Sequence, residues 1–129
     1  MRKWGGYLLV FVIVVIIGVS GVLVQRYLDR TASELSAMLQ EVGKALDHED
    51  WGQSERAFSV FEQRWRVVRR NWALVVDHVE IDNVDMRLAR LKELIRARED
   101  DEARAEYSEA MMLLKHIPER ERLTWRNLF

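Results

Sequence analysis

The sequence of 129 residues contains no cysteine, a single proline and only six glycines. Without cysteine there are no disulfides, no thiolate metal sites and no thiol nucleophile, which removes whole classes of enzyme and metalloprotein. Past Gly21 the only residues that punctuate a chain strongly are Gly43, Gly52 and Pro118. So little turn chemistry excludes a many-stranded sandwich or barrel and leaves a helical composition. An excess of one charge is missing too: lysine and arginine number 20, aspartate and glutamate 21. Setting aside Arg2 and Lys3, at the extreme N-terminus, leaves 18 of those 20 bases against the 21 acids. Such a balance gives no field to draw nucleic acid, and none is expected as a partner. No serine stands in a nucleophile elbow, no glycine-rich loop is present to cradle phosphate, and no HExxH pair occurs. The expectation is a non-enzymatic chain without a cofactor.

What the sequence does have is one long apolar run. From Gly5 to Val24 about 20 residues pass without a charge, enough as a helix to cross a hydrocarbon core roughly 30 Å thick. Arg2 and Lys3 flank it, Trp4 and Tyr7 sit at interface depth, and Arg26, Asp29 and Arg30 follow it. The positive-inside bias therefore rests on Arg2, Lys3 and a very short leading segment. It predicts a single-pass anchor at residues 1–27, with a cytoplasmic N-terminus and an extracytoplasmic body. The small residues at Val19-Ser20-Gly21 could suit a signal peptidase, but the run exceeds the roughly 7 to 15 apolar residues of a secretory signal, so an uncleaved anchor is expected. Gly18 and Gly21 are three apart, not the four of close-packed membrane helix dimers, and read as ordinary glycines of a span.

Four apolar stripes follow. Leu28, Ala32, Leu35, Leu39, Val42 and Leu46 alternate spacings of four and three, one side of a helix that has nothing to separate it from the span. After a plausible N-cap at Asp50, Trp51, Phe58, Phe61, Trp65, Val68, Trp72, Val75 and Val79 form a second stripe dominated by aromatics. Ile81, Val84, Leu88, Leu91 and Ile95 continue in a register offset by two, which places a turn or kink near Asp82 and Asn83. Glu99-Asp100-Asp101 mark a further break, and Ala103, Tyr107, Ala110, Leu114 and Ile117 make the fourth stripe, which Pro118 is expected to stop. No amphipathic helix can bury its stripe alone, and short connections return helices antiparallel. The fold expected is all-α: an N-terminal transmembrane helix, then an antiparallel bundle of about four helices over residues 28–118 and an apolar tail over 119–129.

The densest polar cluster is the DHVEID stretch from Asp77 to Asp82, followed by Asp85. One reading makes it a capped turn whose carboxylates pair with Arg69, Arg70 or Arg87. The other gathers His78, Glu80, Asp82 and Asp85 as metal or ligand-binding candidates, because His78 and Asp82 are four apart. The structural reading is preferred. His48 and His116 are expected near helix ends, where a cation meets the C-terminal partial charge. Between Arg64 and Trp72 bases alternate with aromatics, which reads as core plus a solvated face rather than a binding patch. Leu123, Trp125, Leu128 and Phe129 make the tail a candidate partner-binding element, folded back on the bundle or docked on a partner or the membrane surface.

Together the span, Glu49-Asp50-Trp51, Ala57, the paired Trp65 and Trp72, the DHVEID stretch and the ending Asn127-Leu128-Phe129 resemble a family of small bacterial proteins of unknown function, found mainly in spore-forming Gram-positive bacteria. The resemblance implies a membrane-anchored helical domain beside a larger envelope membrane protein, and brings no activity with it. The function expected is that of a tethered interaction or accessory module with the lipid bilayer and an envelope protein as partners. The alternative is an extracytoplasmic sensor or metal/ligand-binding domain centred on the DHVEID cluster.

Overall fold

The computed structural model describes residues 2–128, with side chains for residues 3–127, and among these it contains four helices and no strand. They are α1 (Arg2–Asp47), α2 (Trp51–Trp72), α3 (His78–Ala97) and α4 (Asp100–Leu128). The helix backbones approach one another from α1 to α2, α2 to α3, α3 to α4 and α4 back to α1, and among the described residues not across either diagonal. Residue pairing shows every neighbour to be antiparallel. Tyr27 meets Asn71 while Glu34 meets Arg64, Trp65 meets Asp85 while Glu62 meets Lys92, and Asp29 meets Arg122 while Asp47 meets Arg104. The body is thus an up-down-up-down bundle.

The core is the set of stripes turned inward. Leu28, Leu35, Leu39, Val42 and Leu46 from α1 face Phe58, Phe61, Trp65, Val68 and Trp72 from α2, with Ile81, Val84, Leu88, Leu91 and Ile95 from α3 and Ala103, Ala110, Leu114 and Ile117 from α4. Trp65 and Trp72 meet edge to face, their centroids 5.7 Å apart at 87°, the geometry an aromatic quadrupole favours. Each indole nitrogen is satisfied: Trp65 Nε1 donates to Asp85 Oδ1 at 2.9 Å, and Trp72 Nε1 to Thr31 Oγ1 at 2.9 Å. On the side where α1 and α4 approach, a Cβ built at Gly43 would overlap the Tyr107 ring, so glycine there is what lets these two helices close.

Two of the three turns share one design. After α1, Asp50 N bonds Ala45 O at 2.9 Å and Glu49 N bonds Leu46 O at 3.0 Å; after α3, Glu99 N bonds Leu94 O at 3.0 Å and Arg98 N bonds Ile95 O at 3.1 Å. Both are Schellman caps, and both place a non-glycine residue at positive φ, Glu49 at 53° and Arg98 at 57°. Asp50 then N-caps α2, accepting from Gln53 N at 3.1 Å as its residue type predicts. Arg104 reaches across from α4 to the Leu46 carbonyl at 3.3 Å, a second donor to an oxygen that already accepts from Glu49 N.

Four expectations need correction. The second stripe does not reach Val75 and Val79. α2 ends at Trp72, Val76 is buried in their place, and both valines are exposed. The cap of α3 is Asp77, which accepts from Val79 N at 3.0 Å, and Asp82 and Asn83 lie inside the helix. Pro118 does not stop α4, which runs on to Leu128. A mid-helix proline forfeits one backbone bond to the residue four before it, and here the surrounding turn is held by tertiary contacts: Ile117 is buried and Gln25 Nε2 donates to the Pro118 carbonyl at 3.0 Å. His116 consequently lies well inside α4 and not at its end.

α1 continues without a break through the junction of apolar run and body. Among the described residues it is the one helix long and apolar enough to cross a membrane, and its most apolar stretch has no residue buried against the bundle. At about 1.5 Å per residue its 46 residues span roughly 69 Å.

Candidate functional site

The DHVEID cluster forms the start of α3, and its members are dispersed among separate tasks. Asp77 caps the helix. His78 is the first residue of α3 and exposed. Glu80 pairs with Arg120 of α4, Asp82 lies 3.9 Å from Arg69, and Asp85 receives both the Trp65 indole and Arg69 Nε, the latter at 2.7 Å. Because Asp85 is bound by a tryptophan from the core and an arginine from α2, it ties α2 to α3 at the edge of the aromatic stack. Arg87, expected to serve this cluster, instead bonds Glu106 at 3.3 Å. Among the described residues no three histidine, aspartate or glutamate side chains are placed to hold a metal ion.

The Arg64 to Trp72 segment places Arg64 and Arg69 at the bundle seams and Arg66 on the exposed face of α2. Arg64 forks onto Glu34 of α1 at 2.7 and 3.1 Å, Arg66 pairs with Glu62 at 3.2 Å, and Arg69 holds Asp85. Trp65, Val68 and Trp72 between them are core. Sequence reasoning missed the most enclosed charge among the described residues, Glu106, 7% exposed and bridged to Arg87 and Arg90 at 3.3 Å each. The spacing of Arg87 and Arg90, three apart on one helix face, was the available signal. It also missed the Gly43 and Tyr107 approach, where burial, aided by Asp47, pushes the Tyr107 phenol above its ordinary value.

The tail candidates lie in different surroundings. Trp125 packs on α1, its ring 3.4 Å from a Cβ built at Gly21, and Leu123 stands 56% exposed. Phe129 and the Leu128 side chain lie outside the described residues. The segment is the final turns of α4, laid along α1 by Gln25 to Pro118 and by Arg122 to Asp29 at 2.7 Å. Gly21 therefore accepts a helix from its own chain, a role its spacing to Gly18 did not suggest. Gly18, Gly21, Val22, Gln25, Arg122, Trp125 and Arg126 line an open, mostly apolar groove of about 390 Å³ at this junction.

Fold and site define a helical bundle raised on a long apolar helix. The chain belongs to the family described as domain of unknown function DUF4363, whose model matches residues 22–128. The match takes in the whole bundle and the final turns of α4, and only the last residues of the apolar run. No curated protein and no solved structure matches the chain.

Proposed function

We propose that this is a membrane-anchored accessory module of the bacterial envelope, working by contact with a larger membrane protein and not by catalysis. The observation that carries the reading is the continuity of α1: the apolar half that would cross the bilayer and the half that supplies Leu28 to Leu46 to the core are one unbroken helix. A glycine- or proline-rich linker would let the body wander, whereas this helix holds the bundle at a set height and rotation over the surface. Confinement of that kind raises the effective concentration for a neighbouring membrane protein, so a weak interface suffices. In this reading residues 5–24, within the anchor at residues 1–27, cross the membrane with the N-terminus cytoplasmic and the body extracytoplasmic, following Arg2 and Lys3.

The test is capture of the full chain from cross-linked membranes, beside a Val14→Arg variant. A mid-span arginine costs about 2.5–3.5 kcal/mol on insertion scales. Wild type is expected to resist alkaline carbonate and to carry one reproducible envelope protein, with Val14→Arg losing both. Release of wild type by carbonate, or an equal yield of that protein with Val14→Arg, overturns the reading, and digestion of the body by protease only after intact cells are opened overturns the orientation.

A further inference from the structure

We infer that the α2–α3 turn and the last turns of α4 form a lipid-contacting foot, on which the bundle rests in the headgroup layer of the membrane that α1 crosses. The inference rests on the anchor reading and adds a second, independent contact with the same bilayer.

Of the large apolar side chains that the bundle leaves exposed, Val60, Val67, Met86 and Met112 are scattered along the helices, and the others gather at one end. At the end from which the apolar half of α1 emerges, Leu74 is 83% exposed and Val79 64%, Val75 accompanies them, and Leu123 lies on the overhanging part of α4. No large apolar residue is exposed around the two turns at the opposite end. The α2–α3 turn owes this to where α2 stops: Trp72 and Val76 turn into the core, so the residues between and after them have no helix to pack against. For a body in water this is an apolar surface without a use.

Its height along α1 identifies what covers it. Asn71 Nδ2 donates to Tyr27 Oη at 2.7 Å, so the chain leaving α2 turns at about the level of Tyr27. Tyr27 stands three residues, roughly 4.5 Å, beyond Val24, the last residue of the apolar run. The headgroup layer on each side of a hydrocarbon core is roughly 5–7 Å deep, so the Leu74 turn falls within it. α4 reaches lower. Trp125 lies against Gly21, roughly 4.5 Å to the apolar side of Val24, at the boundary depth where tryptophan rings are enriched. Arg122 and Arg126 flank the groove beside that ring; Arg122 is held by Asp29, and a side chain as long as that of Arg126 can carry its guanidinium up to the phosphate level. An apolar turn, an interfacial tryptophan and an arginine within reach of the phosphates suit a phospholipid surface better than one protein groove, because they lie on both helices that flank α1 where it enters the bilayer.

The absence of cysteine makes the test direct. Single variants Leu74→Cys, Leu123→Cys and, as a mid-bundle control of similar exposure, Val60→Cys are spin-labelled in the full chain and reconstituted in vesicles of phosphatidylcholine and phosphatidylglycerol. These side chains are solvent-facing, so a label leaves the core intact. At positions 74 and 123 the ratio of collisions with dissolved oxygen to collisions with a water-soluble nickel chelate is expected to be several-fold that at position 60. In parallel, brominated lipid is expected to quench wild-type fluorescence more than that of Trp125→Phe. Labels at 74 and 123 as open to nickel as the label at 60, in a chain that carbonate does not remove, overturn the foot while leaving the anchor standing. Removal of the chain by carbonate overturns the anchor, and the foot with it.

Discussion

The two ends of the bundle are built on opposite principles. At the far end, Asp47, Glu49, Asp50, Glu99, Asp100 and Asp101 crowd two hydrogen-bonded turns, each closed by a left-handed residue. At the near end the α2–α3 turn is apolar and carries no positive φ, and α4 overshoots it along α1. The far end is finished as a surface in water, with Asp50, Asp100 and Asp101 at helix N-termini where the macrodipole favours acids. Polar anchors hold the near end in shape: the buried Trp72 to Thr31 bond, the half-buried Gln25 to Pro118 carbonyl bond and the exposed Arg122 to Asp29 pair. A helical hairpin needs only a capped turn, so the far end is sufficient for the fold. The near end contains more than the fold requires, and that surplus points to a use outside the bundle.

Trp72→Ala is the variant expected to break the near end most severely. Removing a fully buried indole costs about 3–5 kcal/mol, a large part of the stability of a domain this size. The near end should open first, seen as faster amide exchange around Thr31 and Val76 than around Leu46 and Ile95. Arg66→Ala, on the exposed face, should leave the unfolding midpoint almost unchanged. Equal effects from the two substitutions would mean that the aromatic stack is not what joins α1, α2 and α3.

Gly43→Ala tests the far half of the α1–α4 seam. In an isolated helix alanine is favoured over glycine by about 1 kcal/mol, yet here the added methyl meets the Tyr107 ring. Overpacking of this kind typically costs about 1–3 kcal/mol, so the net expectation is a lower midpoint in thermal unfolding. Restoration by a second substitution, Tyr107→Leu, would assign the loss to the ring. A higher midpoint for Gly43→Ala alone would show that Tyr107 swings away freely and that the close approach is not a constraint.

These contrasts also explain what could be read from the sequence. The 3-4 stripes of α1, α3 and α4 were legible because helical period and burial coincide, and Asp50 was legible because an N-cap is a local chemical event. Helix ends that depend on another part of the chain were not. Val75 and Val79 continue the α2 period by coincidence of spacing, while the chain has already turned to bury Val76. Pro118 carries a local stop signal that packing on α1 overrides. The candidate cluster at DHVEID was dense in sequence because a cap and three cross-helix pairs happen to follow one another, and density along the chain says nothing about convergence in space. Gly21 and Trp125, 104 positions apart in the sequence, meet only once both ends of α4 are placed.

A smaller effect separates the ends by strain. Glu49 and Arg98 hold αL conformations that cost an L-residue roughly 1–2 kcal/mol, and neither side chain makes an ion pair among the described residues. Glu49→Gly and Arg98→Gly should each therefore raise stability by about 0.5–1 kcal/mol once the greater chain entropy of glycine is allowed for. The same change at Ala73, where φ is −59°, should lower it. Loss of stability at all three positions would show that the turns at the far end are not relaxed by glycine.

The smallest expected effect concerns charge at the near end. Burial raises the Glu121 carboxyl above its ordinary value of 4.5, with Glu80 and Asp77 adding to the rise and Arg120 opposing it. Glu80 Oε2 is itself buried without a hydrogen bond, so a further negative charge in this corner is poorly compensated. A carboxyl with a raised value in the folded state holds its proton more tightly there than in the unfolded chain. Its contribution to stability is then fully present below the unfolded value and declines as pH rises through the folded one. Glu121→Gln removes that decline. Because the side chain is half-exposed and screened, the gain at neutral pH should stay within about 0.5 kcal/mol. It should vanish as pH falls below the ordinary glutamate range. Denaturant titrations of both chains across that range give the check: a Glu121→Gln chain less stable than wild type at neutral pH, with the gap closing on acidification, would reverse the sign and show that the Glu121 charge is held by Arg120 and not crowded by Glu80.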